Sequence, residues 1–226
     1  MSFGIDILNF YKSLSFDDQS IPVDIDVMNP FSDTSVLNIN EEFYEKYYND
    51  NNKRIFLIGI NPGRLGGGVT GIPFTDPINL ENVLGIKNSL TKKHELSSRF
   101  IYDVIHASGG ASHFFSRYYL TAISPLGFTK EGKNINYYDH KELMAQNESR
   151  FVKWLKAQIR IGGNPEIAYS LGRGKNFDYL KYLNSKYKLF QKVDKLPHPR
   201  WVMQYRYPKR AEFVSFYTGI LASHNI

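Results

Sequence analysis

Residues that could form a reactive or ligand-binding site follow the predicted strands of this chain. Asn61, Ser124, Gly172 and His198 each come after an apolar segment that is typical of a strand. Because the carboxyl ends of parallel strands lie along one edge of a sheet, we expect these positions to converge on one crevice. An asparagine amide can hold a water molecule but cannot take its proton, whereas a histidine can hydrogen bond an oxygen that gains negative charge. The spacing therefore predicts a site at this edge.

The loop after the first of these strands has few side chains. An apolar, largely β-branched run breaks at Asn61 into a loop that holds five glycines by Gly71. Such a bare loop favours the close approach of another group to its backbone. A turn that Asn61 merely caps is the structural alternative. A small phosphorylated ligand bound at 61–71 by an unrelated α/β enzyme is a functional alternative.

Strands and helices are predicted to alternate along the chain. Strands are predicted at 54–60, 117–124, 166–171 and 188–193, and helices at 3–14, 40–49, 79–86, 94–108, 139–160, after Lys175 and at 207–222. This order favours a single α/β domain over 1–226, with a central, mostly parallel four-stranded sheet flanked by helices on both faces. We expect 1–50 to be an N-terminal helical elaboration packed on it.

Composition narrows the chemistry. The chain has no cysteine and its six histidines are scattered, so we expect neither disulfides nor a metal site, and no cofactor is indicated. No apolar run reaches membrane length and no signal peptide is visible, which predicts a cytoplasmic protein without a membrane partner. A formal charge of +6 suits an anionic partner such as nucleic acid, although it also serves solubility. We expect a monomer.

Short motifs in the chain resemble those of a known family. The residues 59–63 (GINPG), followed by 70–74 (TGIPF), resemble motif 1 of SMUG-type uracil-DNA glycosylases. The dipeptide His198-Pro199 is similar to the start of their motif 2, and 124–126 (SPL) is similar to their second-strand motif. The resemblance covers roughly 54–222 and is to a divergent, bacterial branch. It implies the uracil-DNA glycosylase-like fold.

The resemblance also implies an activity. Such an enzyme flips a nucleotide out of DNA and hydrolyses the bond between uracil and deoxyribose, leaving an abasic site. Asn61 would position the water, Phe74 would stack on the base, and His198 would stabilise the departing base. Gly63 replaces a tyrosine of the strictly uracil-specific relatives, which leaves space for 5-hydroxymethyluracil. Because no lysine stands as a nucleophile in the motifs, we expect a monofunctional enzyme.

The resemblance assigns further residues to base and DNA. The implied base-binding residues are Ile60, Gly63, Gly71, Phe74, Thr121, Ala122 and Ser124. The implied DNA-binding residues are Arg173, Lys175, Arg200, Trp201, Met203, Tyr205 and Arg206. Trp201, Met203 and Tyr205 alternate, so an edge strand packed on the core is an alternative for that segment. The turn around Arg173 could equally be a plain strand-to-helix connection.

One position departs from the family. Ala122 stands where the family has an asparagine that reads the Watson–Crick edge of uracil, and a methyl group cannot read a base. Thr121, Ser124, Asp76 or the backbone would have to supply the contact, unless selectivity is altered. A non-catalytic or altered-specificity nucleic-acid-binding member of the same fold is therefore the alternative function.

Overall fold

The computed structural model describes residues 2–16 and 18–224. Its strands are β1 (Asp26–Met28), β2 (Arg54–Gly59), β3 (Tyr118–Ala122), β4 (Gly127–Lys130), β5 (Lys133–Ile135), β6 (Gly163–Leu171) and β7 (Lys192–Leu196). Its helices are α1 (Phe3–Lys12), α2 (Thr34–Tyr48), α3 (Gly67–Thr70), α4 (Pro77–Asn82), α5 (Leu96–Ala107), α6 (Ala111–Arg117), α7 (Lys141–Gly162), α8 (Lys175–Tyr187), α9 (Pro199–Tyr205) and α10 (Arg210–Ala222). Short 3₁₀ turns connect several of them, among them Tyr137–Asp139.

A parallel sheet lies at the centre of the fold. Its four strands are ordered β3-β2-β6-β7, and every neighbouring pair is parallel. All residues of β2 and β3 are buried, as expected where helices cover both faces of a sheet. The edge strand β7 carries exposed Lys192 and Lys195 instead, which discourages pairing with another chain. The two central strands that lead to the site are therefore buried along their whole length.

A smaller antiparallel sheet covers one end of the cleft. It has the order β1-β4-β5, and it joins a segment near the N-terminus to the hairpin after β3. The region 1–50 is thus not only helical, since Asp26–Met28 pairs with Gly127–Thr129. This pairing fixes the hairpin whose far end, around Ile135, reaches the site.

Buried aromatic side chains hold the N-terminal helices to the sheet. The rings of Phe3 and Tyr48 stack with their centroids 5.4 Å apart, and Phe3 contacts Tyr119 edge-on with a centroid distance of 5.2 Å. The buried guanidinium of Arg54 lies over the rings of Phe3 and Tyr48, and it pairs with Asp50 at 2.7 Å. Burying a charge requires such partners, so this cluster anchors the start of β2.

The predicted α/β class and the four-stranded sheet are confirmed. The predicted strand 188–193 lies later, at Lys192–Leu196, because Lys188 takes a left-handed conformation (φ +52°) that ends α8. The predicted alternative of an edge strand at 201–205 is wrong. These residues form α9, since Pro199 occupies its first turn and the His198 side chain caps it.

No helix in residues 2–16 and 18–224 is both long enough and apolar enough to cross a membrane.

Candidate active site

A cavity of about 720 Å³ opens at the carboxyl edge of the central sheet. Its wall comes from the ends of β2 and β3, from β5 and the turn that follows it, from the turn between β6 and α8, and from α9. The lining includes Ile60, Asn61, Gly63, Phe74, Glu95, Thr121, Ala122, Asn134, Asn136, Arg173, Lys175, Asn176, His198, Arg200, Trp201 and Tyr205. Of the four residues predicted to converge on one crevice, Asn61, Gly172 and His198 line this cavity, whereas the prediction for Ser124 is wrong, because Ser124 lies outside the described lining.

Asn61 is held by the backbone of the hairpin region. Its Nδ2 donates to Ile135 O at 3.1 Å, and its Oδ1 accepts from Tyr137 N at 2.9 Å. These bonds fix the orientation of the amide, and each of its polar atoms keeps one further hydrogen-bonding position. Asn61 is partly exposed to the cavity, so its amide can orient a water molecule there.

A buried network supports this hairpin. Tyr137 Oη donates to Asn176 Oδ1 at 3.0 Å, and Asn176 Nδ2 donates to Ser170 Oγ at 3.0 Å. The same Nδ2 also reaches the carbonyls of Ile58 and Gly59, each at 3.3 Å. The network therefore ties the segment that holds Asn61 to β2, β6 and α8.

His198 is neutral and presents a donor. Arg200 N–H donates to its Nδ1 at 3.2 Å, so the proton of a neutral ring lies on Nε2. Burial lowers the pKa of His198 to about 4, and the nearby Arg200 charge adds to that effect. A neutral imidazole can stabilise a developing anion by hydrogen bonding from Nε2–H.

Phe74 has an unusual backbone conformation beside a required glycine. Its φ is +57°, a left-handed value that costs a phenylalanine free energy. Its ring lies against the bare Cα of Gly59, because a Cβ added there would stand 2.6 Å from Phe74 Cζ. Gly59 thus leaves the space in which the aromatic ring lines the cavity.

The end of β3 presents a methyl group and one hydroxyl to the cavity. Ala122 lines the wall, and neighbouring Thr121 donates to Gln158 Oε1 of α7 at 2.6 Å. Ser124 is buried outside the described lining, where its Oγ donates to Leu126 O at 2.7 Å. Asp76 is buried as the N-cap of α4, also outside that lining. Of the side chains considered as substitutes for the family asparagine, Thr121 alone reaches the wall.

The space that the glycines of this loop leave open is occupied mostly by other side chains of the protein. Gly71 (φ +73°) lies against the Asn40 side chain, away from the described cavity wall. A Cβ on Gly66 would overlap Glu95 Oε2, and one on Gly63 would stand 3.0 Å from Glu95 Oε1. These glycines therefore make room for a carboxyl group. No sequence pattern singles out Glu95, because an acidic residue at the start of a helix is ordinary.

α9 and its surroundings form an aromatic and basic rim. Trp201 (39% exposed) and Tyr205 (64% exposed) line the cavity mouth, and Arg206 lies 5.0 Å from the Trp201 ring. Arg200 is exposed in the same wall, whereas Met203 is buried in the core. Exposed Arg173 and Lys175, in the turn that leads into α8 and at its first residue, also line the cavity. The rim therefore combines stacking surfaces with positive charge.

No group of three or more His, Asp or Glu side chains that could hold a metal ion occurs in the described part of the chain.

Comparison with known proteins agrees with this geometry. The profile of the Uracil DNA glycosylase superfamily matches residues 45–221, so the chain belongs to that superfamily. Its members act on DNA. The crystal structure of wild-type SMUG2 from Pedobacter heparinus is similar to this chain, with 38% sequence identity and a TM-score of 0.95. The match covers 99% of this chain and 98% of that chain. A search of curated protein sequences gives no match.

Proposed function

We propose that this protein is a monofunctional DNA glycosylase that hydrolyses the N-glycosidic bond of uracil in DNA. The observation that carries the proposal is the shared cavity. The cavity at the carboxyl edge of the sheet is lined by Asn61, Phe74 and His198, which come from separate loops. Membership of the superfamily and the similarity to SMUG2 support the same class of activity.

The reaction divides among three side chains. A base flipped into the cavity stacks on Phe74, while the rim of α9 engages the DNA around it. As the glycosidic bond breaks, its electron pair passes to the base, and His198 Nε2–H hydrogen bonds the base oxygen that gains charge. Asn61 orients the water that adds to the sugar. Because an amide is a poor proton acceptor, Asn61 contributes orientation rather than basicity.

The wall around Gly63 supports a wider substrate range that includes 5-hydroxymethyluracil. A glycine keeps this part of the wall free of a side chain, although Glu95 and Asn134 lie just beyond it. A Gly63→Tyr variant would also crowd both groups, since even its Cβ would stand 3.0 Å from Glu95 Oε1 and 3.3 Å from Asn134 Nδ2. Single-turnover rates of the wild type on uracil and on 5-hydroxymethyluracil are the cleaner comparison. A 5-hydroxymethyluracil rate below one-hundredth of the uracil rate would exclude this wider range.

The second candidate is a member with altered base selectivity, and Ala122 favours it. The hydroxyl hydrogens of Thr121 and Ser124 are already donated within the protein, so neither side chain can offer a base edge the donor-and-acceptor pair of an amide. A panel of oligonucleotides with different damaged bases tests this candidate. Cleavage of another base faster than uracil would favour it over the first proposal.

The test of the proposed function uses a labelled single strand with one uracil, treated with the protein and then with alkali. We expect cleavage by the wild type, and at least about 100-fold slower cleavage by His198→Ala, as for the loss of a donor to a developing anion. Asn61→Ala should be similarly impaired. Cleavage without alkali, or a borohydride-trapped adduct through Lys175 or another lysine, would refute the monofunctional assignment.

A further inference from the structure

A carboxyl group without a partner lies in the wall of the cavity. Glu95 is the sole Asp or Glu among the described lining residues. Its backbone N–H donates to Asp76 Oδ2 at 2.9 Å, which fixes the start of α5. Within the described residues, no donor is hydrogen bonded to either oxygen of its side chain, which packs on Gly63 and Gly66 instead. Glu95 is partly buried in the cavity wall, and a carboxyl in such a position normally has hydrogen-bond partners, so its bare oxygens are available to a group inside the cavity.

The charged and titratable groups around Glu95 lie at the start of α4, on α9 and on the loop that precedes α5. Asp76, at the start of α4, is fully buried, and Arg200, on α9, is exposed in the cavity wall. The Nδ1 atom of His94, on the loop before α5, lies 3.9 Å from Asp76 Oδ2. Burial raises the pKa of Glu95 to about 7, the Asp76 charge adds to the rise, and Arg200 opposes it. A carboxyl that titrates near neutral pH suits proton transfer.

The other cavity groups leave a role open. Hydrolysis requires that the attacking water lose a proton, and the amide of Asn61 cannot take it. His198 Nδ1 already accepts the Arg200 N–H, and its Nε2–H is the hydrogen-bond donor to the departing base, so neither ring nitrogen is free to take the water proton. Glu95 packs on Gly63, two residues after Asn61 on the same loop. It is thus the one carboxylate among the described lining residues, and it contacts the same loop that carries Asn61.

We propose that Glu95 is the general base of this reaction and accepts a proton from the water that Asn61 orients. The inference rests on the proposed glycosylase function and extends it. The water oxygen bonds to C1′ as the glycosidic bond breaks with its electron pair on the base. One water proton passes to the Glu95 carboxylate, which later gives it to the base anion. The products are an abasic sugar and the neutral base, and Glu95 returns to its starting form.

The test measures single-turnover base release against pH, with protein in excess over a uracil-containing single strand. We expect the wild-type rate to rise through about pH 7 and then level off. Glu95→Gln should lower the plateau rate about 100-fold or more, remove the rise, and change the DNA Kd less than twofold. Glu42→Gln, which removes one exposed carboxylate of α2, is the matched control and should behave as wild type.

Chemical rescue separates a proton acceptor from a structural group. Formate should accelerate Glu95→Ala in proportion to its concentration, whereas chloride at the same ionic strength should not. A Glu95→Gln rate within threefold of wild type with the same pH dependence would overturn the inference alone, as would a folded Glu95→Ala variant that formate fails to accelerate. A wild type that binds DNA without releasing any base would refute the proposed function, and this inference with it.

Discussion

Replacing Glu95 by glutamine should stabilise the fold at alkaline pH. Glutamine keeps the shape of the side chain and removes its ionisation. The pKa of Glu95 rises from 4.5 to about 7 because the carboxyl is buried beside Asp76. At about 1.4 kcal/mol for each tenfold change in the ionisation constant, the folded state loses about 3 kcal/mol when this group ionises.

The pH window follows from the two ionisation constants. Below pH 4.5 the carboxyl is protonated in both states and costs nothing. Between pH 4.5 and about 7 the unfolded chain is ionised while the folded protein still binds the proton, so stability falls as pH rises. His198 acts in the opposite direction, because its folded pKa of about 4 lies below 6.5 and stability rises with pH between these values. The difference between variant and wild type cancels the His198 contribution.

The assay is urea unfolding of wild type and Glu95→Gln at several pH values from 4 to 8. We expect the difference in unfolding free energy to grow by about 3 kcal/mol across this range, equivalent to roughly 6–12 °C in Tm for a chain of this size. A difference in unfolding free energy between the two proteins that stays constant from pH 4 to 8 would refute the assignment of a raised pKa to Glu95.

Three further predictions concern the walls of the cavity. Gly59→Ala should slow base release at least about tenfold, because its Cβ displaces the Phe74 ring; Gly219→Ala, whose Cβ meets open space, is the control in the same single-turnover assay. An unchanged Gly59→Ala rate would contradict the stacking role of Phe74. Trp201→Ala and Tyr205→Ala should each weaken the binding of a single DNA strand by about 1–3 kcal/mol, because bases stack on these two rings. Fluorescence anisotropy measures the affinity, and Tyr182→Ala is the control, since Tyr182 is an exposed residue of α8 outside the described wall. Equal affinities of all three variants would remove α9 from the DNA interface. Ala122→Asn should increase the preference for uracil over cytosine in competition assays, and an unchanged preference would show that this wall position does not read the base.

The strand ends were predictable from sequence because a parallel sheet constrains them. The buried run 54–60 ends in polar residues at the sheet edge, so the convergence of Asn61 and His198 followed from topology. The motif spacing added Phe74. By contrast, the left-handed conformation of Lys188 gave no strong signal, and the fourth strand was therefore placed too early.

Other features depend on long-range packing that local patterns do not encode. The antiparallel sheet pairs Asp26–Met28 with residues about a hundred positions away, through strands too short to show periodicity. The partners of Asn61 lie on that hairpin, and Gln158 takes the Thr121 hydroxyl from another helix. The five-glycine loop pointed to a close approach, but the carboxyl of Glu95 that packs there became visible only in the fold.

The most direct measurement is the detection of the free base by mass spectrometry after incubation with a single strand that contains one uracil. We expect one uracil released for each strand by the wild type, and almost none by a variant that carries both Asn61→Ala and His198→Ala yet still binds DNA. Wild-type protein that binds the strand and releases no uracil would contradict the proposed glycosylase activity.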